Sequence, residues 1–187
     1  MSLSPPHRRF HRSFLAALDE FAADGTSQST PVLDWPEDET FAGPTYTRAN
    51  LENRATFGDM VDFLISQSYP KTPRPRRWVP FTELWMSDGR QYVGRINLRH
   101  ELTEELLEWG GQIGYAVRPS ARGRGYAKAA LGLMLQVAAE RGLSQVLITC
   151  DVDNVASRRV IEAHGGVYED TRQGKLRYWV VSSGPCR

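Results

Sequence analysis

The sequence is short of cysteine, of long apolar runs and of any charge imbalance, and each shortage excludes a class of protein. Only Cys150 and Cys186 occur in 187 residues. Their separation fits neither metal-ligand nor redox-pair spacing, so a disulfide-stapled scaffold and a zinc module are both disfavoured. No apolar run approaches the ~20 residues that cross a bilayer. The basic N-terminus MSLSPPHRRFHRS has no apolar stretch behind it to act as a leader. Lys and Arg number 23 against 22 Asp and Glu, a net charge of +1, which gives no general attraction for nucleic acid or anionic membrane. These shortages predict a soluble, cytoplasmic protein without a metal, whose partners must be read from local sites.

What is present suffices for one core. At 41% hydrophobic residues, the chain reads as a single domain, 1–187. Phe14, Leu15, Leu18 and Phe21 predict a helix over Arg12–Ala23. Thr26–Pro44, interrupted by Pro31, Pro36 and Pro44, reads as a surface loop. Helical spacing returns over Thr47–Gln67, followed by the basic run Lys71–Arg77, which reads as a solvated loop because it is short and lacks interleaved aromatics. Thr82–Met86 and Gln91–Leu98 flank an Asp88-Gly89 turn and predict a hairpin. A charged connection, His100–Glu108, leads to a strand at Gln112–Val117. After Pro119, the residues Tyr126, Ala129, Ala130, Leu133, Met134, Val137 and Ala138 share one helical face, which Gly142 ends. Val146–Thr149 is an apolar strand of the fully buried type. Asn154 can cap a helix running to Ala163, and strands Val167–Glu169 and Leu176–Val181 close the chain. The order describes a mixed α/β sandwich without internal repeat.

One segment carries chemistry. Ile113-Gly-Tyr-Ala-Val-Arg-Pro-Ser-Ala-Arg-Gly-Arg-Gly-Tyr-Ala127 sets a glycine-rich loop between a strand and a long helix. The first amides of a helix lack intrahelical acceptors and the macrodipole is positive there, so phosphates can dock on backbone N–H groups. Gly123 and Gly125 permit close approach, and Arg122 and Arg124 add positive charge. No Gly-x-x-x-x-Gly-Lys-Ser/Thr occurs, which disfavours an ATP loop. The dinucleotide fingerprint fails at Lys128, where its third small residue belongs.

Arg122-Gly-Arg-Gly-Tyr-Ala127 resembles the pyrophosphate motif of the GNAT acyltransferases, Gln/Arg-x-x-Gly-x-Gly/Ala. The resemblance continues through Leu147–Gly166, where Asn154-x-x-Ser157 and the terminal glycines recur at the family's spacing. It spans Gly94 to Val181 and implies a single-domain GNAT-like mixed, splayed β-sheet flanked by α-helices. Acetyl-CoA is then the expected acyl donor, entering between the strand ending at Val117 and the strand Val146–Thr149. Backbone groups near Ala116 and Val117 are expected on the pantetheine arm, and amides from Gly123 to Ala127, Tyr126 included, on the pyrophosphate. Asn154 and Ser157 are expected on the opposite side of the cofactor. By residue type alone, Asn154 is equally a plain helix cap.

The implied reaction is direct transfer of an acetyl group to a primary amine of a small molecule or peptide, through a tetrahedral intermediate. It needs a group to take the amine's proton and a donor for the oxyanion. Many family members supply a general acid from a tyrosine seven residues after the Asn154 position, where this chain has Ile161. Tyr115, Tyr168 and Tyr178 are the remaining tyrosines considered for that role, each also readable as a packed aromatic. For the base, Glu108 fits best, with His100 and Glu101 on the neighbouring strand end and solvated loop charges as the bland reading. Cys150 reads as a buried small residue.

The N-terminal part, 1–90, is expected to supply acceptor-side elements beside the acyl-CoA-binding core, 91–181. Trp78, Phe81, Trp85 and Trp109 gather aromatic surface around the expected acceptor pocket. A homodimer is the default association. The alternative reading, an acyl-CoA-binding module with little or no turnover, rests on the residue at Ile161. Nucleic-acid binding through Lys71–Arg77 is disfavoured by the neutral composition.

Overall fold

The computed structural model describes residues 1–25 and 41–182. Most of the expected Thr26–Pro44 loop, and Cys186, lie outside the described residues. Eleven elements are labelled in chain order. They are β1 (Ser2–Ser4), α1 (His11–Ala23), α2 (Arg54–Ser66), β2 (Phe81–Asp88), β3 (Gln91–Arg99), β4 (Ile113–Val117), α3 (Tyr126–Glu140), β5 (Gln145–Asp151), α4 (Val155–Glu162), β6 (Val167–Arg172) and β7 (Lys175–Val181). Two antiparallel sheets result, ordered β1-β2-β3-β4 and β5-β7-β6. No helix among the described residues is long and apolar enough to cross a membrane.

Two apolar clusters hold the layers together. On one face of the sheets, Ala130, Leu131, Met134 and Ala138 of α3 pack on Ile96, Leu98, Val146 and Ile148, all essentially fully buried. Each such aliphatic side chain contributes about 1–3 kcal/mol through burial. On the other face of β2-β3-β4, Phe14 of α1 and Phe57 of α2 close over Trp85 and Tyr92. Phe14 stacks on Trp85 with ring centroids 4.9 Å apart and meets Tyr92 edge-on at 5.0 Å, arrangements that aromatic quadrupoles favour. Trp85 is thus a core residue, although it lies on the expected acceptor side.

Three expectations change. The Thr47–Gln67 helix is broken: a 3-10 turn, Asn50–Glu52, precedes α2. Asn53 between them is extended, and its side chain accepts from the amides of Ala55 and Thr56. Capping at Asn53 outweighs an apolar period that runs through both pieces. The His100–Glu108 connection ends in a π-helical turn, Leu106–Gly110. Strand β1, too short to show a period, pairs Leu3 with Met86.

One carboxylate ties the end of α1 to the segment that follows β4. Glu20, near the end of α1, accepts from Nε of Arg118 at 3.1 Å and from its Nη2. It also accepts from the amide and hydroxyl of Ser120 at 3.1 and 2.9 Å. Arg118 in turn donates to the Tyr92 carbonyl at 3.1 Å. The Arg118 guanidinium holds the Glu20 carboxyl down to about 2, against the opposing effect of partial burial and with help from Ser120. A depressed carboxyl pKa contributes stability above the unfolded value and loses it as pH falls through the folded one. Glu20→Gln is therefore expected to destabilise the protein by about 1–2 kcal/mol at pH 7. In chemical denaturation, its deficit against the wild type should shrink as pH is lowered from 4.5 toward 2; a deficit independent of pH would contradict the ion pair's role.

Candidate active site

β4 ends the first sheet and β5 begins the second, and the strand ladder does not join them. They are stitched at the base instead. The amide of Gln112 donates to the Leu147 carbonyl at 2.7 Å, and the Gln112 side-chain oxygen accepts from the Leu147 amide at 3.2 Å. Gln112 is nearly fully buried. Its side chain thus stands in for a backbone acceptor, which is why β4 begins one residue later than the sequence predicts. Gly111, at φ 64°, brings the chain in so closely that a Cβ would lie 3.0 Å from the Leu147 carbonyl oxygen. Beyond this stitch, the edge of β4 that faces away from β3 has no strand partner among the described residues, including at Ala116 and Val117.

The glycine-rich loop lies at the open end of β4. Gly123 and Gly125 have φ of 74° and 80°, left-handed values that residues with a Cβ rarely adopt. α3 starts directly after Gly125, with no side chain capping it and no acidic residue in its first turn. An uncapped helix start beside two arginines is receptive to an anion. The loop's cations are balanced by nearby carboxylates: Nη1 of Arg122 lies 2.7 Å from Asp24, and Arg124 lies 3.7 Å from Asp88. The Tyr126 hydroxyl also donates to Asp88, at 2.6 Å. Ala127 occupies the first turn of α3.

Across the gap, Asn154 caps α4 by accepting from the Ser157 amide at 3.0 Å. The Tyr115 hydroxyl extends from β4 to Ser157, 2.7 Å from its Oγ and 3.2 Å from its carbonyl oxygen. Desolvation pushes that hydroxyl up to about 12, partly opposed by the Ser157 contact and reinforced by the neighbouring Cys150. It is a proton donor throughout the neutral range. Burial, together with the Asp151 charge, also raises the Cys150 thiol, so Cys150 is a poor nucleophile. Ile161 is fully buried in the α3-side core.

The residues expected to handle protons have other partners. Glu108, in the π-helical turn, forms an ion pair with Arg172 of β6 at 2.5 Å. Tyr168 is half-exposed on β6, and its hydroxyl contacts Thr171 Oγ1 at 2.8 Å. His100 contacts Thr82 Oγ1 at 2.9 Å and Arg141 at 3.3 Å. Arg141 stands at the end of α3 opposite the glycine-rich loop. Desolvation, with the charges of Arg141 and Arg74, pushes His100 down to about 4, which keeps it neutral at physiological pH. The structure brings none of these three to the glycine-rich loop.

A carboxylate that the sequence did not single out lies beneath α1 and α2. Glu83 of β2 is 5% exposed and sits 3.4 Å from Arg95. It faces Asn97 of β3 in register, and Asn97 faces Gly114 of β4, so the three share one face of the sheet. Asn97 Oδ1 accepts from the Gly114 amide at 3.2 Å. Over Gly114 that face is open, because a Cβ there would meet only the Asn97 oxygen. Desolvation drives the Glu83 carboxyl upward, partly offset by Arg95, Asn97 and Trp85. The Tyr92 hydroxyl on this side is buried without a hydrogen-bond partner among the described residues, an uncommon condition for an interior polar group. Alternation in β2 could have flagged Glu83, since it falls among the apolar positions of Phe81 and Trp85.

Comparison with known proteins agrees with this fold. A family model, the acetyltransferase (GNAT) domain, matches residues 18–167. No curated protein matches the sequence significantly. Among solved structures, Mycobacterium smegmatis RimJ in complex with CoA-disulfide superposes with a TM-score of 0.63 at 17% identity, covering 96% of this chain and 81% of that one. The microcin self-immunity acetyltransferase MccE, in complex with acetyl-CoA and AMP, gives 0.60 at 14% identity, covering 96% and 91%. A spermidine N-acetyltransferase, SpeG, from Vibrio cholerae gives 0.56 at 13% identity, covering 98% and 96%. At such identities the superpositions establish the fold. The family model reaches further, running from α1 through the parted strands to the start of β6, and by that match the chain belongs to the GNAT acetyltransferases.

Proposed function

We propose that this acetyltransferase moves an acetyl group from acetyl-CoA to a primary amine of a small molecule or peptide, by direct attack of the amine on the thioester. The observation that carries the proposal is the uncapped start of α3, with its two left-handed glycines, at the mouth of the parting between β4 and β5. The residues present fit a pyrophosphate: amides from Gly123 to Ala127 would hold it, with Arg122 and Arg124 exchanging Asp24 and Asp88 for phosphate oxygens. The unpaired edge of β4 at Ala116 and Val117 would take the pantetheine amides as a strand takes a neighbour. Asn154 and Ser157 would line the other wall.

Bound acetyl-CoA supplies an activated carbonyl and a thiolate leaving group. An amine that attacks must be neutral; its C–N bond forms first, giving the tetrahedral intermediate, which collapses as the C–S bond breaks and the thiolate leaves. Glu83 would take the amine's proton, a role supported by the row Glu83, Asn97 and Gly114. Tyr115, held by Ser157 one helical turn from Ile161, would give a proton to the departing sulfur. A phenol from β4 would then do what other members do from α4, so the buried Ile161 is no argument for lost turnover. Glu108, His100 and Tyr168 enter as secondary candidates, because each has another partner.

Two variants separate binding from chemistry. Gly125→Asp adds a side chain at a left-handed position and a negative charge beside the phosphates. It should weaken acetyl-CoA binding by calorimetry at least about tenfold, ~1.4 kcal/mol, and unchanged affinity in a folded variant would remove the loop from the account. Tyr115→Phe should bind acetyl-CoA normally yet lower kcat by about 10–100-fold, read as thiol release with spermidine and with N-terminal peptides as acceptors. Wild-type kcat in this variant would return the acid role to another group.

A further inference from the structure

A second anion-receptive feature lies at the opposite end of α1 from the glycine-rich loop. Four arginines and a histidine, Arg8, Arg9, Arg12, Arg54 and His11, line a concavity of about 570 Å³ whose floor is Phe57, with no acidic residue in its wall. Net charge over the whole chain is only +1, so this is a local concentration of charge. Of the five, only Arg8 has a carboxylate partner among the described residues, Asp62 at 2.5 Å, and that pair is exposed at both ends. Arg12 and Arg54 have no charged partner among the described residues. Arg12 lies in the first turn of α1 and Arg54 begins α2, so both cations add to the positive ends of helices whose first turns contain no acidic residue.

The walls are held in place. Arg8 lies so close over Gly58 that a Cβ there would come within 3.0 Å of its guanidinium. Arg9 lies over the Phe10 ring, 4.5 Å from its centroid. His11 packs on Phe57 with centroids 4.7 Å apart, and its Nε2 contacts the Leu51 carbonyl at 2.7 Å. Preorganised guanidinium forks match oxyanions in pairs, which lysine ammoniums do not. The basic surface is also bounded: nearby Arg48 is committed to Asp19 and Glu52. A half-open concavity of this volume suits a small ligand better than a polyanion lying along a continuous basic track.

We infer that this concavity binds a small phosphate ester or oligophosphate, separately from the cofactor. The two sites are separated by the length of α1, whose 13 residues span about 20 Å. The test is calorimetric titration of the full chain, first saturated with CoA, using inorganic pyrophosphate and AMP as probes and sulfate as the control anion. Pyrophosphate or AMP should still bind, more tightly than sulfate by at least about tenfold. Arg12→Ala and Arg54→Ala, both on exposed side chains, should each weaken that binding about tenfold or more while leaving CoA affinity unchanged. Absence of binding in CoA-saturated protein, equal affinity for sulfate, or binding indifferent to both substitutions would overturn the inference, as would capture of an acidic peptide in place of either phosphate probe. Because CoA affinity is measured in the same samples, failure here is distinguishable from failure of the acetyl-CoA reading.

Discussion

The fold turns on the refusal of two strands to pair. Backbone amides and carbonyls are obligatory hydrogen-bonding groups, yet β4 and β5 are joined only where Gln112 meets Leu147. Two features hold the separation at its base: a glutamine amide that replaces a ladder bond, and Gly111, which lets the chains approach there without a Cβ between them. Once the strands part, the edge of β4 is available to a ligand that can behave like a strand. The glycine-rich loop follows β4, so under the proposed function the same strand would offer its edge to one part of a long cofactor and deliver a helix start to another.

The aromatic layer beneath α1 and α2 has a second consequence. It buries Glu83 and Arg95 with Asn97 on one face of the sheet, which raises the carboxyl's affinity for a proton. A buried carboxylate next to an open position at Gly114 is the arrangement expected where proton transfer is needed. Glu20 then ties this layer to the loop, because its partner Arg118 immediately follows β4 and also holds β3 through the Tyr92 carbonyl. Helix α1 and the segment between β4 and the glycine-rich loop are therefore mechanically coupled.

Much of this was readable from residues alone. Helix α3, the buried strand β5 and the hairpin β2-β3 follow from period and turn chemistry, and the loop from Arg122 to Ala127 from glycine spacing and its position before a helix. The failures have physical causes. Asn53 breaks a helix whose apolar period continues past it, because a cap is a local competitor that periodicity cannot register. Glu108 and His100, chosen by proximity in sequence to β4, stay secondary candidates, and their side-chain partners from β6 and from the end of α3 were not legible because such pairings are set by tertiary packing. The burial of Glu83 and the contact of Tyr115 with Ser157 were harder to see, since one needs cross-strand register and the other needs the approach of β4 to α4.

The central claim, that the parting of β4 and β5 together with the α3 start forms an acyl-CoA site, is tested most directly by calorimetric titration of the unmodified protein with acetyl-CoA, beside ATP and NAD. Selective, saturable binding of acetyl-CoA is the predicted result. No binding, or a preference for ATP or NAD, would contradict the account.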